Sequence, residues 1–206
     1  GARPGPRARL LTSGRGRPPP SRPPHLGVPA GESPPPGRPN RRRLDQMADM
    51  LSGLTARRGE PLGVLLVDVD HLKMINDRFG HAAGDQALRQ IAGAMQRTLR
   101  TTDVLGRPDD EVLGRWAGDE FLVLMAPGEP AALEALAHRL LAAVRAAPLS
   151  VPGGPPVALT VTVGAAGGPP DVPALLAAAD RALYRAKAQS RDAVCVEHPA
   201  EPGPMG

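Results

Sequence analysis

A chain of 206 residues has room for one domain of ordinary size and an appendage, but not comfortably for two domains. Its net charge of +4 is unevenly spread. Residues 1–43 carry ten Arg and one Glu, while the remainder carries 15 Lys/Arg against 20 Asp/Glu and is mildly acidic, which removes the main support for a nucleic-acid-binding protein.

Residues 1–43 also hold 12 of the 26 prolines. Such a segment cannot bury enough apolar surface to offset its ordering entropy, so it is expected to be a disordered leader or linker. A domain is expected over 44–198, followed by a disordered tail over 199–206. In "RRRLDQMADMLSGLTARRG", Leu44, Met47, Met50, Leu51 and Leu54 recur at helical spacing, and Gly59 and Pro61 end the run. "PLGVLLVDVD" is a short, nearly continuous apolar run, as a buried central strand would be, with Asp68 and Asp70 at its end. "HLKMINDRFG" predicts a short helix closed by Gly80. "HAAGDQALRQIAGAMQRTLR" predicts a long amphipathic one with Leu88, Ile91, Met95 and Leu99 on its apolar stripe. The strand-like pieces "VLGR" (104–107) and "VLGRWAGDEFLVLMAP" follow, the second repeating the start of the first and placing a hairpin at an acidic pair. "EPAALEALAHRLLAAVRAAP" reads as helix, "VALTVTVGAA" as strand, "DVPALLAAADRALYRAKAQS" as helix and "DAVCVE" as a last short strand. The consecutive strands interrupt the βα alternation, so the expected fold is α+β, a mixed five-stranded sheet flanked by helices.

The chemistry gathers at one edge of that sheet. Asp68 ends an apolar strand, where an unpaired carboxylate is costly and a cation relieves it. Asp119 and Glu120 sit at a hairpin able to pair beside that strand. Three carboxylates without a Cys or His cluster suit a hard cation, Mg²⁺ or Mn²⁺, rather than zinc. The alternative is that Asp68 caps the following helix and the acidic pair is a solvated turn. Mg²⁺ held by few carboxylates usually shares its shell with phosphates. Candidate phosphate ligands are the backbone opening the helix after Asp70, Lys73 one turn on, and Lys187 and Arg191, which are four apart on one helical face. Asn76 and Asp85 are groups of the kind that read a guanine edge, although such residues also serve as ordinary helix caps.

"DVDHLKMINDRFGHAAGD", "RWAGDEFLVL", "VTVGAA" and "ADRALYRAKAQSRDAV", in this order, resemble the GGDEF domain of diguanylate cyclases over roughly residues 61–196, and "NRRRL" resembles that family's entry motif. The resemblance implies a nucleotidyl-cyclase or polymerase-palm-like fold with a mostly antiparallel sheet. The implied reaction condenses two GTP into cyclic di-GMP and two pyrophosphates. It runs in a homodimer, the 3′-hydroxyl of each GTP attacking the α-phosphate of the other, with two Mg²⁺ or Mn²⁺ ions per active site. By the same resemblance, Asp68, the Val69 carbonyl, Asp119 and Glu120 bind metal, and Asp119, Glu120 and Lys73 take part in catalysis. Asn76 and Asp85 read guanine, while the His71–Leu72 backbone, Lys187 and Arg191 grip the phosphates. "RTTD", Arg100 to Asp103, resembles the family's product-binding inhibitory site, with Arg139 as its second arginine.

The sequence departs from the family pattern in several places. Ala117 replaces the signature's first glycine, which is costly if that position needs φ > 0 or close backbone approach. About eight extra residues precede the signature, "GESPPPGRP" stands in place of the usual lead-in, and His71 stands where an aromatic is common. The expectation is a working or weakened diguanylate cyclase. The alternative is a degenerate module that binds GTP or cyclic di-GMP and signals through a partner. The lone Cys195 excludes an internal disulfide and suits a reducing compartment, and no apolar run approaches the roughly 20 residues of a bilayer-spanning helix. These features, with only four aromatics for base stacking, point to a cytoplasmic chain with neither a nucleic-acid partner nor a membrane segment. Beginning at glycine, the chain reads as a piece of a longer protein.

Overall fold

The computed structural model describes residues 41–102 and 111–197. The leader up to residue 40, Asp103, the "VLGR" stretch at 104–107 and the tail at 199–206 lie outside the described residues. The elements run α1 (Arg41–Arg58), β1 (Leu62–Val69), α2 (Leu72–Phe79), α3 (His81–Thr102), β2 (Glu111–Ala117), β3 (Glu120–Met125), α4 (Pro130–Arg145), β4 (Val161–Gly168), α5 (Val172–Gln189) and β5 (Val194–Glu197), the expected order. They form a five-stranded sheet ordered β2-β3-β1-β4-β5, antiparallel except for the β4–β5 pair.

β1 is the centre of the sheet and buried along all its residues. Its apolar run is continuous because helices cover both faces, and the two-residue side-chain period divides the run between two cores. Leu65, Val67 and Val69 pack with α2, α3 and α4, including Ile75, Ile91, Met95 and Leu140. Leu62, Val64 and Leu66 pack with α1 and α5, including Leu44, Leu51, Leu175 and Ala179. The buried stripe of α1 is Leu44, Ala48, Leu51 and Thr55, so Met50 lies off it at 44% exposure, a departure from the expected stripe.

Two local details bear on the site. Gly164 lets α5 lie close on β4, since a Cβ there would run into the backbone of Ala179 and Leu183. β4 begins at Val161 rather than Val157, which instead makes an isolated bridge to Leu149.

Candidate active site

The face on which the acidic groups stand follows from strand parity. Leu62, Val64 and Leu66 face α5, so Asp68, two residues further along, faces it too. Glu120 is the cross-strand partner of Asp68 on β3 and Thr162 its partner on β4, and residues directly opposite share a face. Asp119 occupies the hairpin turn between β2 and β3. The turn is held by the Val69 N–H, which donates to the Asp119 carbonyl at 3.0 Å, and by Arg115, which donates to the Gly118 carbonyl through Nε at 2.8 Å and also through Nη2.

Lys187, in the last turn of α5, places its Nζ 2.8 Å from Asp68 Oδ2. Burial pushes the Asp68 carboxyl above its ordinary value, against the pull of the Lys187 hydrogen bond and charge, and the nearby Asp119 and Asp70 add to the rise. Burial also raises the Glu120 carboxyl, and the Asp68 charge raises it further. The edge is therefore a place where negative charge is held at a cost and a cation is favoured.

His71 joins β1 to α2 in the left-handed region, at φ 57° and ψ 22°, and gives α2 no side-chain cap. Asp68 is therefore not the cap of α2. Among the described residues, the opening N–H groups of the helix have no side-chain acceptor, as at helix termini that take anions.

A cleft of about 700 Å³ opens between these elements. Asp68, Val69, His71, Leu72, Lys73, Asp119, Lys187 and Arg191 line it together, as do Met74, Asp77 and Arg78. Three expected residues do not. Glu120 opens instead into a second hollow of about 400 Å³ with Asp180, Arg181, Tyr184 and Arg185, and Lys187 borders both spaces. Asn76 and Asp85 stand outside the cleft wall, close together at the α2–α3 junction. There Gly84 leaves room for the Asn76 carboxamide, which a Cβ would displace, and Asp85 is exposed on α3 just past its first turn.

Among the described residues, no group of three His, Cys, Asp or Glu side chains is close enough to hold a metal unaided. The donor set still suits Mg²⁺, which is commonly held by one or two carboxylates and completed by phosphate oxygens. The Lys187 ammonium supplies the counter-charge at Asp68.

Ala117, at the end of β2, is exposed and outside the left-handed region, so its methyl group causes no backbone strain. Arg139 on α4 donates to the Thr98 carbonyl at 2.9 Å, which sets it against the C-terminal part of α3, the helix that carries Arg100. Asp103 lies outside the described residues. Sequence reasoning missed Asp70, which is buried and accepts from Thr160 and Thr162. The available signal was the spacing by two in "DVD" and "TVT", which puts Asp70 on the face of Asp68 and pairs two hydroxyls on one strand face.

Residues 37–193 match the family described as "Diguanylate cyclase, GGDEF domain". The chain is 37% identical over 158 residues to diguanylate cyclase DgcP of Pseudomonas aeruginosa, covering 76% of this chain and 22% of that protein. It is 35% identical over 159 residues to the response regulator PleD of Caulobacter vibrioides, covering 75% and 33%. The chain thus spans a third or less of the length of these relatives. The crystal structure of the GGDEF domain of YfiN from Pseudomonas aeruginosa superposes with a TM-score of 0.68 at 34% identity, covering 77% of this chain and 95% of that one.

Proposed function

The chain belongs to the GGDEF family of diguanylate cyclase domains, and from that premise we propose that it condenses two GTP molecules into cyclic di-GMP and two pyrophosphates, as a homodimer in the cytoplasm. One observation carries the reading: a buried Asp68, paired at 2.8 Å with Lys187, shares the wall of a 700 Å³ cleft with Asp119 and Arg191. Acidic groups for a cation and basic groups for phosphates thus meet in one space.

Asp68, the Val69 carbonyl, Asp119 and Glu120 are the residues that would hold Mg²⁺ or Mn²⁺, two ions per site. When bound, the metal neutralises triphosphate charge and makes the attacking hydroxyl a better nucleophile. Lys187 and Arg191 hold the phosphates from the α5 side, and the His71–Leu72 backbone holds them from the start of α2. Asn76 and Asp85 receive the guanine edge beyond the cleft wall. The 3′-oxygen of one nucleotide bonds to the α-phosphorus of the other, the α–β anhydride breaks, and pyrophosphate leaves. In this reading the Asp119 carboxylate takes the hydroxyl proton, and Lys73 offsets the charge that develops on the phosphates. Arg100, Asp103 and Arg139 form a product site that lowers turnover when cyclic di-GMP occupies it.

The decisive assay incubates the purified chain with GTP and Mg²⁺ or Mn²⁺. Cyclic di-GMP and pyrophosphate are expected in a 1:2 ratio. Their absence at protein concentrations high enough to form dimers overturns the cyclase reading and leaves a module that only binds nucleotide.

A further inference from the structure

Asp70 has no part in the chemistry proposed above, yet it is only 4% exposed and three donors converge on its carboxylate. Thr160 Oγ1 donates to Oδ2 at 2.9 Å, Thr162 Oγ1 to Oδ1 at 2.7 Å, and the Asp192 N–H to Oδ2 at 3.0 Å. The Asp70 N–H donates in turn to the Thr160 carbonyl at 3.0 Å, which fixes the C-terminal end of β1 to the start of β4. The Asp192 N–H also reaches Thr162 Oγ1 at 3.1 Å.

Asp192 is thereby caught from two sides. Its backbone is left-handed, at φ 61°, a conformation that a non-glycine residue keeps only where its surroundings hold it. From the opposite direction Arg145, in the last turn of α4, donates through Nε to both Asp192 carboxylate oxygens at 2.9 and 3.0 Å and through Nη2 to its carbonyl at 3.1 Å. The residue before Asp192 is Arg191, which stands past the end of α5 and reaches the cleft from this loop. Lys187 is placed by α5 itself and by Asp68, whereas the last bond from the helix reaches only Ser190, whose N–H donates to the Ala186 carbonyl at 3.2 Å. Past Ser190 the stretch is anchored at Asp192, held inside by Asp70 and outside by Arg145, and at Ala193, whose carbonyl accepts from the Val163 N–H at 2.9 Å.

We propose that Asp70 is a positioning residue for phosphate binding, setting Arg191 in the cleft through Asp192, with Arg145 as the outer half of the same clamp. The inference rests on the reading of Arg191 as a phosphate ligand. Charge-assisted bonds to a buried carboxylate are short and directional, so loss of the Asp70 end loosens the loop at Arg191 most, and loss of the exposed Arg145 end loosens it less.

The test measures affinity for a non-hydrolysable GTP analogue with Mg²⁺ by calorimetry, together with KM and kcat for GTP. Asp70→Ala is expected to weaken analogue binding and raise KM about tenfold, as supporting-residue losses commonly do, with kcat changed much less. Arg145→Gln, on the surface and away from the core, is expected to cost about threefold in the same two quantities. In an Arg191→Ala background, Arg145→Gln is expected to add nothing, a result that a general loss of stability would not produce. Wild-type affinity in both Asp70→Ala and Arg145→Gln overturns the inference, as does an Arg145→Gln effect that persists undiminished without Arg191. If Asp70→Ala does not fold, Arg145→Gln and the double variant still decide. Should the wild-type chain bind the analogue but form no cyclic di-GMP, the cyclase reading fails while the affinities still decide the clamp. Unchanged affinity in Arg191→Ala alone overturns the clamp at its premise.

Discussion

Two strands deliver acidic groups to the same edge of the sheet, and they are built in opposite ways. β1, at the centre, is buried along its whole length and hydrogen-bonded on both sides. β2, at the edge, is half-exposed almost throughout and, among the described residues, pairs with β3 alone. Asp68 is therefore placed by two packed cores, whereas the Asp119 turn is placed by a few bonds at the rim. The central strand sets the position of the site. The hairpin has latitude, and it carries Ala117 at the end of β2.

The largest effect expected on this contrast is functional. Asp119→Ala should lower cyclic di-GMP formation about 10²–10³-fold while leaving the denaturation midpoint near wild type, because the lost group takes the hydroxyl proton and is no part of the core. Unchanged turnover would mean that the turn carries no chemistry. Next comes a matched pair of truncations. Leu65→Ala on β1 should cost about 2–5 kcal/mol in urea unfolding, whereas Leu113→Ala on half-exposed β2 should cost about 1–2 kcal/mol. Equal costs would erase the distinction between centre and edge.

Gly164→Ala tests how the centre reaches α5. The added Cβ meets helix backbone, so a loss of about 1–3 kcal/mol is expected, together with a fall in turnover as Lys187 draws away from Asp68. Arg115→Ala removes the bond to the Gly118 carbonyl and should cost about 1 kcal/mol, with turnover reduced a few-fold. Ala117→Gly should matter least. The position is exposed and needs no positive φ, so restoring glycine should shift turnover by no more than about twofold and stability by about 0.5 kcal/mol. A large gain in turnover would instead make Ala117 the reason for a weakened site.

Much of the fold was legible before any coordinates. The order of helices and strands followed from apolar periods of 3.6 and 2, and the central place of β1 from a run too apolar to have a solvated face. The stripe on α3 holds at all four positions, whereas on α1 Met50 fell off it because Ala48 and Thr55, small and weakly apolar, carry the inward line. The site was legible as an inventory. Asp68, Lys73, Asp119, Lys187 and Arg191 were named from residue type and position, and they do line one cleft.

How those residues are shared between spaces was not legible, and the reason is geometric. The Asp68–Lys187 pair joins residues far apart in the chain, and its existence depends on how closely α5 settles on β4, which Gly164 permits. Glu120 adjoins Asp119 in sequence yet opens into a different hollow, since it stands on β3 beside Asp180 and Tyr184 of α5 whereas Asp119 belongs to the turn. Asn76 and Asp85 stand outside the cleft, and Asp70 gathers donors from β4 and from the loop after α5. Local propensity and side-chain chemistry, which sequence alone determines, decided which elements form and which groups bear the chemistry. Strand register and helix docking, which exist only once distant segments pack, decided which of those groups face one another.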